Sequence, residues 1–238
     1  MGANVTTNLF RALRQVSPDQ PAVNEDLRDL GVSYTSPMPN DSRKLPDLHV
    51  TELLHQWAGG DVSALDQVVE KLYDYLHRRV HSLVAREHNR GILDTTDILH
   101  DLYIELRKLK TIPSNDTGHF IRASARIVRH LLVTAARRRK ADKHGGKQIF
   151  VTLTSTNELA DEREHTLDVL ILDDILTALE GASERIVSIV ELSIFLRMSQ
   201  RQIAETLKIH RTTVQRDWLV AKRLIVARYR GERANASS

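Results

Sequence analysis

Leu65, Val68, Val69, Leu72, Leu76, Val80, Leu83 and Val84 recur at spacings of three and four residues. A strand would repeat every second residue, so this pattern demands a helix that buries one face. Asp61 or Ser63 stands where a cap is needed, and Gly91 follows the last apolar position. The same period then returns along the chain. A second helix is predicted after Thr95-Thr96-Asp97, with Ile98, Leu99, Leu102, Tyr103, Leu106 and Leu109 on its inner stripe. Pro113, Ser114, Asn115, Asp116 and Gly118 form a loop. A third helix is predicted from about His119 to Lys140. Phe120, Ile127, Leu131 and Leu132 would face inward, leaving Arg122, Arg126, Arg129 and Arg137 outside. These helices suffice for one compact domain over residues 48–142.

A second helical set follows. Gly145 and Gly146 end the first domain, and residues 143–166 are polar and poorly periodic, which predicts a flexible linker. Within it, 149–153 has the composition of an extended segment. Leu167, Leu170, Ile171, Ile175, Leu176 and Leu179 then form a stripe that Gly181 stops. Ser183-Glu184 opens a further helix with Ile186, Val187, Val190 and Ile194 inside. Ser199-Gln200-Arg201-Gln202 is a capping-box pattern that opens a short helix through Leu207. A tight turn at Lys208-Ile209-His210 leads to a longer helix from Arg211 to about Tyr229. The expected fold is therefore all-α, with two helical domains, 48–142 and 167–232, and a short tail at 233–238. Aromatic residues are only 5% of the chain, so aliphatic side chains must build both cores.

Residues 1–47 differ. Five of the six prolines lie there, at 18, 21, 37, 39 and 46, and that density prevents long helices. A flexible N-terminal extension is expected. Its Leu9/Phe10/Leu13 cluster is a candidate for docking on another surface.

Composition excludes several function classes. The chain has no cysteine, which removes disulfides, thiolate zinc ligands and thiol catalysis. No apolar window approaches the roughly 20 residues of a membrane span, and no secretory signal is visible, so no membrane insertion and a cytoplasmic location are expected. No nucleophile elbow or Gly-rich phosphate loop is present, and a non-enzymatic role without cofactor or metal is expected. His77 and His81 have the spacing of a metal pair, with His88 nearby, but nothing completes a ligand set beside them.

The net charge of +3 conceals an uneven distribution. Arg122 to Lys147 carries nine Lys/Arg against one acid, Asp142. Arg201 to Arg233 carries nine Lys/Arg against three acids, while Glu158 to Glu191 between them is acidic. Two separate basic patches suit two contacts with a polyanion.

The second patch has an interpretable form. Two short helices joined by a three- or four-residue turn make a helix-turn-helix. Ala204 is small enough for close approach, Ile203 and Leu207 are apolar, Ile209 plugs the turn, and Val214 anchors the second helix. Arg211, Thr212, Thr213, Gln215 and Arg216 are then left at its exposed start, where they can reach base edges and phosphates in a major groove.

The stretch Ser199 to Arg223, with Thr213-Val214 and Arg216-Asp217-Trp218, resembles the sigma-four domain of extracytoplasmic-function (ECF) sigma factors, especially a branch common in planctomycete-type bacteria. Leu54 to Ala64, with Trp57, Gly60 and Asp61, is similar to the opening helix of the sigma-two domain. Thr96 to Tyr103 is similar to its polymerase-binding helix, and Leu132 to Lys140 through Gly145-Gly146 to its end. The resemblance covers about residues 50–230. It implies a protein that binds RNA polymerase core and directs initiation at promoters. Asp97, Leu99, His100, Asp101 and Tyr103 would meet the clamp helices of the largest subunit, and the flap of the second-largest subunit would be a further contact. His119, Phe120, Arg122, Arg126, Arg129, Arg137 and Arg138 would hold the minus-ten element. Arg211, Thr212, Thr213, Gln215 and Arg216 would read the minus-thirty-five element. An anti-sigma factor is a further partner the resemblance suggests. Many relatives have Gly at positions 208 and 197, so Lys208 is expected at a positive φ. His210 stands where Ser or Thr usually caps the recognition helix, and Ile127 and Thr134 where polar residues are common. The alternative is a helix-turn-helix regulator without sigma activity, in which 48–142 would be a dimerisation or effector domain.

Overall fold

The computed structural model describes residues 50–84, 93–109, 116–141, 148–152 and 166–236. The N-terminal extension, His88, Gly91, residues 113–115 of the Pro113–Gly118 loop, Gly145-Gly146 and most of the linker lie outside them. Eight helices and one two-stranded ribbon are seen among the described residues. Helix α1 spans Val50–Ala58, α2 Val62–Val84, α3 Thr95–Lys108 and α4 Thr117–Ala141. Strands β1 (Phe150–Thr152) and β2 (Thr166–Asp168) follow. Then come α5 (Val169–Glu180), α6 (Glu184–Ile194), α7 (Gln200–Leu207) and α8 (Arg211–Ala236).

The local signals explain most boundaries. Gly60 adopts φ +100, a turn that side chains disfavour, and this breaks the stretch 54–64 into α1 and α2. Asp61, rather than Ser63, caps α2: its Oδ1 accepts from the Ser63 amide at 2.9 Å and the Ser63 hydroxyl at 2.7 Å. Asp94 caps α3 by accepting from the Thr96 amide at 2.7 Å and the Asp97 amide at 3.3 Å. Ser183 caps α6, and Ser199 with Gln202 forms the reciprocal capping box on α7. The linker region is more ordered at its ends than a flexible tether requires. β1 and β2 pair antiparallel, Val151 opposite Leu167, and Ile149, Val151 and Leu167 are all buried.

Helix α4 is the axis of the molecule. It packs on α1 and α3 on one side and on α5, α6 and α7 on the other. Its buried positions come in adjacent pairs four residues apart: Phe120/Ile121, Ser124/Ala125, Val128/Arg129 and Leu132/Val133. That doubled stripe is wide enough to face two partners. The inward face is therefore rotated from the expected one. Ile121, Ala125 and Val128 are fully buried, whereas Ile127 and Leu131 are only half-buried. Arg129, expected outside, is 5% exposed. Leu109, expected on the inner stripe of α3, lies past the helix end and is 37% exposed. One continuous apolar core runs through both helical sets.

Arg129 is buried because the second set supplies its partners. Its guanidinium meets Glu191 at 2.9 Å, Asp173 at 2.8 Å and Glu180 at 3.0 Å, and it donates to the Thr177 hydroxyl at 3.0 Å. Glu191 is 3% exposed. Burial pushes its carboxyl above the ordinary range, against the pull of the hydrogen bond and charge of Arg129.

Two stability outcomes follow from this packing. Arg129→Ala strands the buried Glu191 and should cost about 3–5 kcal/mol in denaturant unfolding, while Arg129→Met with Glu191→Met should recover most of it; equal losses in both would show that the pair's burial is not the cause. Ser199→Ala removes the capping box and should cost about 1 kcal/mol by the same measurement.

Candidate DNA and polymerase interface

The helix-turn-helix is built from a strained turn. After α7, Lys208 sits in the left-handed region at φ 54, as its place in the turn predicts. Its amide donates to Glu205 O at 3.4 Å, and the Ile209 amide to Ala204 O at 3.0 Å. These crossed bonds satisfy the last carbonyls of α7 and turn the chain sharply. Ile203, Ala204, Val214, Trp218, Ala221 and Ile225 are buried and lock α7 against α8. Leu207 and Ile209 are half-buried beside them.

The start of α8 faces outward. Arg211, Thr212 and Arg216 are exposed, and Thr213 and Gln215 are half-buried. His210 replaces the usual hydroxyl cap: the Thr212 amide donates to its Nδ1 at 3.4 Å, and the Thr212 hydroxyl lies 2.8 Å from the same nitrogen. Asp217, buried, accepts from Arg185 Nε at 2.7 Å and from Arg216 Nε at 3.4 Å. It holds Arg216 through the guanidinium Nε while leaving that residue exposed. The result is a helix end presenting two cations, hydroxyls and an amide to solvent, the inventory needed at a major groove.

Helix α3 presents a different face. Asp97, His100 and Asp101 are exposed. Leu99 is buried with Ile98, Leu102 and Leu106, and its edge lines an apolar cleft between α2 and α3. Tyr103 is half-buried and donates its hydroxyl to Asp66 at 2.7 Å. That bond, with burial, raises the phenol above its ordinary value against the opposing charge of Arg107, whose guanidinium lies 5.6 Å from the ring centre. Ile104 was missed from the sequence. It is 37% exposed and continues the Asp97, His100, Asp101 row at helical spacing. Its signal was present, because Ile104 falls out of step with the buried stripe. Beside it, Val69, Tyr73, Leu76, Leu99, Leu102, Tyr103 and Leu106 line a shallow apolar cleft between α2 and α3.

Helix α4 brings the expected minus-ten residues onto one rod but not into one environment. Phe120 is fully buried, so it is core and not a free stacking platform. His119 is partly exposed; its Nε2 lies 2.8 Å from Arg122 Nη2, so the imidazole is neutral and accepts there. Burial lowers its pKa, helped by the charge of Arg122 and opposed by Asp116 and Glu184. Arg126 is exposed but lies 3.9 Å from Glu180 and 4.0 Å from Glu191. Arg129 is buried in the cluster described above. Arg137 is exposed and paired with Asp173 at 3.0 Å. Arg138 is exposed.

Among the described residues no group of three or more His, Asp or Glu side chains converges as a metal site. His77 and His81 stack at 5.8 Å between ring centres, and His81 Nδ1 lies 3.4 Å from the Thr95 hydroxyl. No helix among the described residues is long and apolar enough to cross a membrane.

No curated protein matches the chain. A family model described as ECF sigma factor matches residues 47–230 and so takes in both helical sets, the α3 face and the helix-turn-helix. With that match over most of its length, the chain belongs to the ECF sigma factor family, whose members act with RNA polymerase on promoter DNA in transcription initiation.

Proposed function

We propose that this sigma factor, working in the cytoplasm, uses the two units of the chain, 48–142 and 167–232, at separate positions. The α3 face docks on the clamp helices of the largest polymerase subunit. Its carboxylates suit a basic partner and Ile104 supplies apolar area at the centre. The second unit meets the flap of the second-largest subunit and reads the minus-thirty-five element through Arg211, Thr212, Thr213, Gln215 and Arg216. The arginines of α4, with His119, hold the backbone of the minus-ten element, which gives affinity rather than sequence information. The polymerase performs the chemistry, and the sigma factor positions it. An anti-sigma factor would act by covering the α3 face or the start of α8.

The observation that carries this reading is the exposed start of α8, with Arg216 held through its guanidinium Nε by the buried Asp217. A dimeric regulator would also expose a recognition helix, so the decisive test is transcription. Purified core polymerase with a pool of genomic promoter fragments should give discrete new run-off transcripts only when this protein is added. Salt-sensitive DNA binding without transcripts would instead favour a regulator lacking sigma activity.

The readout has a second signature. Gln215→Ala should weaken binding by about 1–3 kcal/mol and relax preference at one position of the minus-thirty-five element, scored by competition among promoter variants. A uniform loss across all variants would assign Gln215 to the backbone.

A further inference from the structure

Arg185 and Arg216 come from different helices, α6 and α8, yet both lean on one carboxylate. Arg185 Nε donates to Asp217 Oδ2 at 2.7 Å, and Arg216 Nε donates to Asp217 Oδ1 at 3.4 Å. Asp217 is 4% exposed, whereas the two arginine side chains are 50% and 52% exposed. A buried acid thus holds two half-exposed cations, each by the guanidinium nitrogen nearest its own backbone. Among the described residues neither guanidinium has a further hydrogen-bond partner. The outer nitrogens of each, Nη1 and Nη2, keep their donors for another acceptor.

Neither contact arises from local helix geometry. Arg216 and Asp217 are adjacent on α8, and adjacent helix residues point about 100° apart. The Arg216 side chain must therefore fold across the helix surface to meet Asp217. Arg185 stands in the first turn of α6, after the cap Ser183 and Glu184, where the positive end of the helix dipole disfavours a cation. The short bond to Asp217 is what its place there accomplishes. The unequal distances assign unequal roles. Arg185 neutralises the buried charge, while Arg216 is only steadied by it and can turn its outer nitrogens to solvent. Without Arg185 the carboxylate would draw Arg216 inward, because a buried charge needs a full partner. Without Asp217 nothing among the described residues holds Arg216. A loose arginine at a DNA surface settles on a phosphate, where it carries no sequence information.

We propose that Asp217 is a positioning residue that sets what Arg216 reads, with Arg185 as its counter-ion. Anchored at Nε, Arg216 presents Nη1 and Nη2 side by side and end-on. That fork matches two acceptors on one base edge, and in the major groove only guanine offers two, O6 and N7. The anchored fork therefore selects a guanine in the minus-thirty-five element. This rests on the assignment of the start of α8 to that element.

The test uses the full chain and two readouts. A promoter identified by run-off transcription is randomised over its minus-thirty-five element, and core polymerase loaded with the chain selects from the pool. The parent should favour guanine at one position by at least about fivefold, the lower end for a bidentate pair. Arg216→Lys keeps the charge but loses the fork, and should abolish that preference. Asp217→Asn and Arg185→Gln should each reduce it to about twofold or less. The second readout is binding of a random-sequence duplex by the chain alone across a salt series, where the two variants should diverge. Asp217→Asn removes a negative charge and releases Arg216 to the backbone, so binding should tighten and the log–log salt slope steepen by about one. Arg185→Gln removes a cation, so binding should weaken. A shared loss of preference with opposite changes in affinity is a signature that neither a charge effect nor a folding defect produces. Should Asp217→Asn lose its helicity, Arg185→Gln, at a half-exposed site, carries the test by the same criterion. A guanine preference that survives Arg185→Gln or a folded Asp217→Asn would overturn the proposal. So would a parent that prefers another base at the position Arg216→Lys alters. Gln215→Ala separates the two ideas. If it relaxes one position while Asp217→Asn relaxes none, recognition by α8 stands and the positioning role falls. If no variant of α8 alters the selected sequence, the assignment of α8 falls and the proposal with it.

Discussion

The arrangement of this protein depends on one buried cation. Arg129 lies in the middle of α4, and a guanidinium cannot be withdrawn from water without anionic partners. Those partners, Asp173, Glu180 and Glu191, all come from the second helical unit. The cluster therefore specifies which face of α5 and α6 meets α4. The apolar residues on either side would tolerate several registers, because burial is not directional. The ion cluster does not, because each donor needs its acceptor at hydrogen-bond distance.

Around that cluster the two units share a continuous core. The α3 face, with Asp97, His100, Asp101 and Ile104, and the start of α8 are both open to solvent. The α4 face is not. The left-handed turn at Lys208 serves two ends. It closes α7 so that α8 can project, and it aims an ammonium at Asp116. Glycine would make the turn at lower conformational cost but would not make the contact.

Most local structure was legible in the chain. The stripe of α2, the stripe of α3 as far as Leu106, the capping box at Ser199, the stop at Gly181 and the turn at Lys208–His210 all follow from short-range rules, and each is where the residues predict. The exposed start of α8 was legible too, because Ile203, Ala204 and Val214 must be inside and the neighbouring polar residues are then outside. Leu99 and Phe120 are buried, as their places on the inner stripes predict, although the resemblance also gave them contact roles. Both lie on stripes where a contact residue and a packing residue have the same chemistry, and only the neighbouring helices distinguish them.

By itself, the sequence determined the helices, their caps and the helix-turn-helix, because those depend on spacing and on hydrogen bonds within a few residues. It also determined the family, through motifs in order along the chain. Only the tertiary structure decided the orientation of α4 and the fate of its arginines. A single apolar stripe was readable on that helix, but its second buried face exists only because α5, α6 and α7 pack there. Charge along a sequence does not reveal whether an arginine faces water, a phosphate or a carboxylate. That depends on which acids, 44 to 62 residues away, the fold brings within 3 Å of it.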